Sequence, residues 1–253
     1  MPGKVNVGGT AYTVAYGKTK ISGTTYDIGM GKTKIDGTVK DIDFGTIPSK
    51  YQQVEYIKNY GSNYPYINLP ITSQEGLKLE FYAAYEGYSN NQCYIGTYSE
   101  PSSWAQQKFY LQDDGESYFY GYATCAGNNV TAQWPGSTSL EFYRVSFGNY
   151  GTSNNMSIYL YEPSSGREST KTTTRARALT TTNLPMRIMR ADASVKGLYG
   201  RITAYNANNA IIMDLYPCYR KSDNTPGFYD KVTHSLLTNS GSGKLRVGPD
   251  ISE

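Results

Sequence analysis

A tandem repeat with a period of 14 opens the chain, and repetition constrains a fold more than any single motif does. Val7-Gly8-Gly9-Thr10-Ala11-Tyr12-Thr13-Val14 is followed by Ile21-Ser22-Gly23-Thr24-Thr25-Tyr26-Asp27-Ile28, then by Ile35-Asp36-Gly37-Thr38-Val39-Lys40-Asp41-Ile42. Each copy holds a pair suited to a tight turn: Gly8-Gly9, Ser22-Gly23 or Asp36-Gly37. Such pairs accept the positive φ that two-residue hairpin turns require. Alternation flanks each turn. Tyr12, Val14 and Tyr16 share one parity, as do Tyr26, Ile28 and Met30, then Ile42 and Phe44. A period of two marks a half-buried strand, so one hairpin per copy is expected.

A ribbon of hairpins with one apolar stripe is marginal alone in water. Residues 1–46 are therefore expected to dock through Tyr12, Val14, Tyr16, Tyr26, Ile28, Met30, Ile42 and Phe44. The partner is either another subunit of an assembly, including a homo-oligomer of this chain, or the second domain of the same chain. Lys18, Lys20, Lys32 and Lys34 fit exposed strand edges kept soluble by charge.

After Gly45 the repetition stops, and residues 47–253 read as a second domain. Short alternating segments recur with turn residues between them: 77–82, 117–122, 140–145, 157–161, 201–205 and 211–215. Asp113-Asp114-Gly115 and Pro163-Ser164-Ser165-Gly166 read as hairpin turns. No segment shows a helical stripe. The expected fold class is all-β, with N-terminal tandem β-hairpin repeats followed by an antiparallel jelly-roll β-sandwich.

Net charge is +3, too small to point to nucleic acid, although it is unevenly spread. Residues 47–166 carry ten acidic and five basic residues, whereas 167–201 carry two and eight. The basic stretch, with Arg167, Lys171, Arg175, Arg177, Arg187 and Arg190 among threonines, reads as an exposed strand or loop that balances the acidic half. No apolar run approaches the ~20 residues of a membrane helix, so no membrane insertion is expected. The opening residues show no apolar signal core, so no secretory route is expected. Cys93, Cys125 and Cys218 form no CxxC pair and are expected as free buried thiols.

Catalytic signals are thin. His234 is the lone histidine, with no nucleophile motif beside it. Glu80 and Glu141 sit on expected strands, yet no run sets acids side by side as sandwich glycosidases need. Asp113-Asp114-Gly115-Glu116 lacks calcium-loop spacing. No enzyme, metal or cofactor is expected. Tyrosine, by contrast, supplies 26 of the aromatic side chains, against 7 Phe and 2 Trp. It pairs a rigid apolar ring with a hydroxyl that must be wet or bonded. Surfaces rich in Tyr, Ser, Gly and Asn recognise partners by adaptable contact. Sugars, with flat apolar faces ringed by hydroxyls, suit such a surface. The expected ligand-binding residues lie in loops: Tyr64, Tyr66, Tyr88, Asn90, Asn91, Trp104, Trp134 and Tyr150. The alternative is that Trp104 and Trp134 close the ends of the core.

Two stretches resemble a known family. Ile47-Pro48-Ser49-Lys50-Tyr51-Gln52-Gln53-Val54-Glu55-Tyr56-Ile57, followed by Gly61, Tyr66 and Ile67, resembles the opening of the concanavalin-like, laminin-G-like jelly roll common in bacteriophage and prophage structural proteins. Leu215-Tyr216-Pro217-Cys218-Tyr219-Arg220, Gly227-Phe228-Tyr229-Asp230 and Thr238-Asn239-Ser240-Gly241 resemble its close. The Gly-Lys-Thr repeats resemble short repeats preceding such domains in virion proteins. This chain departs from the pattern at Asn68, where the family usually has an acid. The resemblance implies a virion protein assembled in a bacterial cytoplasm, a capsid decoration, head-fibre or tail-fibre component. It would be attached to other virion proteins through residues 1–46 and displayed toward a host-surface or mucosal glycan. A polysaccharide-degrading sandwich and a purely structural capsid cement protein are the alternatives. No catalytic residue is carried over.

Overall fold

The computed structural model describes residues 3–7, 10–14, 18–21, 24–27, 31–35, 38–42, 47–60, 65–85, 92–97, 107–113, 118–125, 128–135, 143–149, 155–162, 166–174, 185–189 and 197–251. Among them there is strand and turn but no helix.

Six short strands lie in the repeats: β1 (Gly3–Val7), β2 (Thr10–Val14), β3 (Lys18–Ile21), β4 (Thr24–Asp27), β5 (Gly31–Ile35) and β6 (Thr38–Ile42). They pair antiparallel as β1 with β2, β3 with β4 and β5 with β6. The hairpins close on Val7 opposite Thr10, Ile21 opposite Thr24, and Ile35 opposite Thr38. Tyr12, Val14, Tyr26 and Ile42 lie on these strands; Tyr16, Ile28, Met30 and Phe44 fall outside the described residues.

The rest of the chain contributes β7 (Tyr51–Gln53), β8 (Ile57–Tyr60), β9 (Ile67–Thr72), β10 (Lys78–Tyr85), β11 (Gln92–Thr97) and β12 (Gln107–Asp113). Next come β13 (Tyr118–Cys125), β14 (Asn128–Pro135), β15 (Tyr143–Asn149), β16 (Asn155–Glu162), β17 (Arg167–Thr174) and β18 (Pro185–Ile188). The last are β19 (Gly197–Tyr205), β20 (Ile211–Arg220), β21 (Thr225–Asp230), β22 (Ser235–Thr238) and β23 (Lys244–Val247).

Two antiparallel sheets form a sandwich. The larger runs β17-β16-β15-β10-β19-β20-β21-β22, with β8 beside β19, β23 beside β8, and β7 beside β20. The smaller runs β14-β13-β12-β11-β18-β9. Alternation explains which side of each strand is buried. In β10, Leu79, Phe81 and Ala83 enter the core while Lys78, Glu80 and Tyr82 do not. In β16, Met156, Ile158 and Leu160 alternate with half-buried Ser157, Tyr159 and Tyr161. Phe81 and Phe147 meet edge to face at 6.3 Å between ring centroids. Ile67 and Leu69 of β9, Ile95 of β11 and Met186 and Ile188 of β18 complete the core from the smaller sheet. Each such side chain stabilises the fold by about 1.5–3 kcal/mol through burial. A small second cluster of Tyr51, Cys218 and Tyr229 packs with Ile47 and Leu236.

The turns near the C-terminus need left-handed residues. Asn209, Asn224 and His234 have φ of 58°, 56° and 56°. Asparagine tolerates this region better than most side chains. Asn206 Oδ1 accepts from the amides of Asn208 and Ala210 and so fixes the turn between β19 and β20.

Several sequence expectations shift. Residues 140–142 of the strand expected at 140–145 lie outside the described residues; the described strand, Tyr143–Asn149, runs on past Val145, and Gly148 still pairs with Lys78. Of the turn expected at Pro163-Ser164-Ser165-Gly166, only Gly166 is described, and its amide donates to the Glu162 carbonyl at 2.9 Å; the other three fall outside the described residues. The threonine-rich basic stretch begins as strand β17, exposed along most of its length. Cys218 is a free buried thiol. The side chains of Cys93 and Cys125 lie outside the description.

Candidate functional site

The outer face of the larger sheet carries three rows of polar and aromatic side chains in register. The middle row crosses six strands: Asp214 opposite Thr203, Thr203 opposite Glu80, Glu80 opposite Ser146, Ser146 opposite Tyr159, and Tyr159 opposite Thr170. A second row runs Tyr82, Arg144, Tyr161, Glu168 across β10, β15, β16 and β17. A third runs Tyr205, Lys78, Gly148, Ser157, Thr172. All have the parity opposite to the core residues, which is why the sequence puts them on one face.

A β-bulge shapes this face. Tyr199 and Ile202 of β19 lie opposite Ala83 and Phe81 of β10, so Gly200 and Arg201 together oppose Tyr82. A side chain at Gly200 would begin 3.0 Å from the Tyr82 Cβ. Glycine therefore leaves the flank of Tyr82 open, and Tyr82 is 41% exposed.

The charged groups are paired. Glu80 lies 3.3 Å from Lys78 Nζ and 3.8 Å from Arg144 Nη2, and it accepts from the Tyr205 hydroxyl at 3.3 Å. Lys78 Nζ sits 4.2 Å above the Tyr205 ring centroid. Burial, then the Glu80 charge, pushes the Tyr205 phenol above its ordinary value. Tyr159 donates to Glu168 at 3.1 Å, and its phenol is pushed up by burial and that bond. Both phenols thus stay protonated donors at neutral pH. Arg201 holds Asp214 with two bonds, 2.8 and 2.9 Å, and its guanidinium lies 4.6 Å from the Tyr216 ring centroid. Thr203 adds a bond to Asp214 at 3.3 Å. Asp230, fully buried, accepts from the amides of Asp214 and Val232 and from the Thr233 hydroxyl.

The residues expected from sequence fare differently. Tyr66 is half-buried just before β9. Its ring lies 4.5 Å from the Arg187 guanidinium, its amide donates to Asn239 at 3.2 Å, and its carbonyl accepts from Ser240 at 2.7 Å. Asn68 accepts from the same Arg187 at 2.9 Å. Trp134 lies in strand β14, opposite Phe119, rather than in a loop. Pairing with β13 carries the strand through Trp134 to Pro135. Tyr64, Tyr88, Asn90, Asn91, Trp104 and Tyr150 fall outside the described residues, as does Glu141. His234 occupies a turn, with Nδ1 3.3 Å from the Tyr229 hydroxyl. Among the described residues no three metal-ligating side chains gather. No helix there is long and apolar enough to cross a membrane.

The tyrosine face was not foreseen. Its signal in the sequence is modest: Phe81-Tyr82 and Tyr159-Leu160-Tyr161 place tyrosine at the polar parity of strands whose other parity is apolar.

No family model matches this chain, and no curated protein sequence does. Among solved structures it is similar to the enzymatically active domain of tailspike protein 2 from bacteriophage CBA120, at 11% identity and a TM-score of 0.44. That match covers 64% of this chain and 26% of the tailspike chain, so this chain spans about a quarter of it. It is also similar to the native heptameric SAP-like pentraxin of Limulus polyphemus, at 11% identity and a TM-score of 0.48, over 78% of this chain and 95% of that one. Scytalido-glutamic peptidase matches at 11% identity and a TM-score of 0.37, over 76% and 98%. The β-sandwich rests on the strand pairing above.

Proposed function

We propose that this chain is a non-enzymatic bacteriophage virion protein, a capsid-decoration, head-fibre or tail-fibre component, whose sandwich adheres to a host-surface or mucosal glycan. Residues 1–46 attach it to other virion proteins or to further copies of itself. The virion setting is supported by the sequence resemblance. The adhesive role is supported by one observation above all: the outer parity of the larger sheet sets Tyr82, Tyr159, Tyr161 and Tyr205 among bonded polar groups in cross-strand rows, with Ser146, Thr203 and Asp214 buried between them. Many copies on one particle would multiply a weak single-site affinity.

The enzymatic alternative has one point in its favour. Glu80 and Asp214 share a row with Thr203 between them, which sets their Cα atoms about 10 Å apart at ordinary strand spacing. Yet each carboxylate is engaged by cations, Glu80 by Lys78 and Arg144 and Asp214 by Arg201. Neither offers a free carboxyl to a glycosidic oxygen.

The test uses the full chain on a glycan array, with reducing-sugar release measured in parallel. Binding without release is expected. Sugar release abolished by Glu80→Gln or Glu141→Gln would replace this reading with the enzyme. No glycan binding, together with loss of particle incorporation on deletion of residues 1–46, would replace it with a cement protein.

A further inference from the structure

We infer that the glycan is an uncharged polysaccharide, and that it lies across strands β10, β15, β16 and β17 on Tyr82, Arg144 and Tyr161. This rests on the adhesive reading and names its site and ligand class.

Three observations converge. The first is spacing. Tyr82 and Tyr161 flank Arg144 in one cross-strand row. Two strand spacings separate them, about 10 Å between backbones. Their rings can therefore serve two sites along one extended chain of sugar rings, with a fork of donors between.

The second is chemistry. A pyranose presents C–H groups on one face and hydroxyls round its rim. Tyrosine covers the face with a rigid ring at small entropic cost. Arg144, with its side chain 46% exposed, donates to ring-edge oxygens, and Glu168 at the end of the row accepts from hydroxyls. Tyr159, one row away, reaches into this row with its hydroxyl, which donates to Glu168, while Ser146, also one row away, is buried. Donors and acceptors thus both border the rings, as a polyhydroxylated ligand requires.

The third is charge. Along the three rows and the bulge beside them, Lys78, Arg144 and Arg201 are matched by Glu80, Glu168 and Asp214; Lys231, over the Tyr216 ring at 5.2 Å, lies beyond the rows. Ion pairs at 3.3, 3.8 and 2.8 Å join most of them. A face with balanced charge gives a polyanion no net field to follow, and each anion would have to displace a carboxylate from its cation. Nucleic acids, teichoic acids and sulfated or sialylated glycans are poor occupants. A neutral polysaccharide meets no such cost.

The experiment is affinity electrophoresis of the full chain in gels containing mannan, a neutral β-glucan, hyaluronan or dextran sulfate. Parallel lanes carry Tyr82→Ala, Tyr82→Phe, Arg144→Ala and Tyr161→Ala. Circular dichroism and thermal melts confirm each fold. Retardation by at least one neutral polymer and by neither acidic one is expected. Tyr82→Ala and Arg144→Ala should weaken it at least tenfold, while Tyr82→Phe, which keeps the ring, stays within threefold. Both substituted side chains are solvent-exposed, so a folding defect in Tyr161→Ala alone leaves the test intact.

Preference for hyaluronan or dextran sulfate would overturn the inference. So would neutral binding that ignores Tyr82→Ala and Arg144→Ala, although adhesion itself would then stand, relocated to another surface. No retention by any polymer here, nor on the glycan array, would defeat both. Concentration-dependent self-association abolished by Tyr82→Ala would also overturn the inference, assigning the face to a second copy of the chain.

Discussion

Replacing Asp214 with alanine tests whether the outer face is held rigid by its own bonds. Asp214 is nearly buried and accepts two bonds from Arg201 and one from Thr203. A bond to a charged group contributes about 1.5–3 kcal/mol when buried. Here the Arg201 side chain is 46% exposed and regains water when its partner goes. The pair therefore counts nearer to a surface bridge than to a buried one, about 1 kcal/mol for both bonds together. The Thr203 bond is long, and its loss leaves a buried hydroxyl with one acceptor fewer, a further cost of about 1 kcal/mol. The sum is about 2 kcal/mol, against the 3–5 kcal/mol of a fully buried broken pair. Urea titration of Asp214→Ala should show that loss with an unchanged m-value. A double-mutant cycle with Arg201→Met should give a coupling of about 1 kcal/mol. A loss below about 0.5 kcal/mol, or zero coupling, would refute the reasoning, because the face would then be ordered by something other than this pair.

Other outcomes follow from the same structure. Tyr82→Ala should change stability by less than about 0.5 kcal/mol, since exposed side chains away from special features rarely contribute more; chemical denaturation checks this. Gly227→Ala should destabilise strongly, by about 2 kcal/mol or more, because the added Cβ would begin 2.3 Å from the Leu237 carbonyl oxygen in the neighbouring strand. Burial pushes the Cys218 thiol up to about 12, so in the native protein it should resist maleimide at pH 8 and label only on unfolding, as mass mapping would show. The unfolded chain releases that proton in the ordinary thiol range, whereas the folded chain holds it to about pH 12. The stability present below that range should therefore decline as pH rises through this window. Asp223 behaves oppositely. Its bonds to Arg220 and Thr225 hold it well below the usual carboxylate range, so whatever it contributes is kept at neutral pH and lost only in strong acid. Asp223→Asn should accordingly flatten the acid limb of a pH–stability profile.

Much of the sandwich was legible because its strands obey a simple parity. Residues 77–82 and 157–161 alternate cleanly, and β10 and β16 bury the apolar parity as expected. Strand β9 was harder, since Pro70 interrupts the pattern; in the fold Pro70 occupies an exposed position and the inward Ile67, Leu69 and Ile71 continue past it. The end of β15 was lost for a similar reason. Gly148 reads as a turn, yet a side chain there would begin 2.3 Å from the Leu77 carbonyl oxygen, so close strand approach demands glycine. The candidate site was less legible. Its rows join residues as distant as Glu80, Ser146, Tyr159, Thr203 and Asp214, and such pairing is set by strand order rather than by local sequence. Attention to loop tyrosines and tryptophans therefore passed over tyrosines in mid-strand. Tyr66 shows the converse: it reads as a free recognition residue but is engaged by Arg187 and tied by its backbone to Asn239 and Ser240.

The most direct measurement is tyrosine footprinting of the intact chain. Nitration of each tyrosine is followed by mass spectrometry, with and without the neutral polysaccharide that retains the protein. Protection centred on Tyr82 and Tyr161 is the predicted result. Protection confined to Tyr64, Tyr88 or Tyr150, with Tyr82 and Tyr161 reacting as freely as before, would place recognition away from the sheet face and contradict this account.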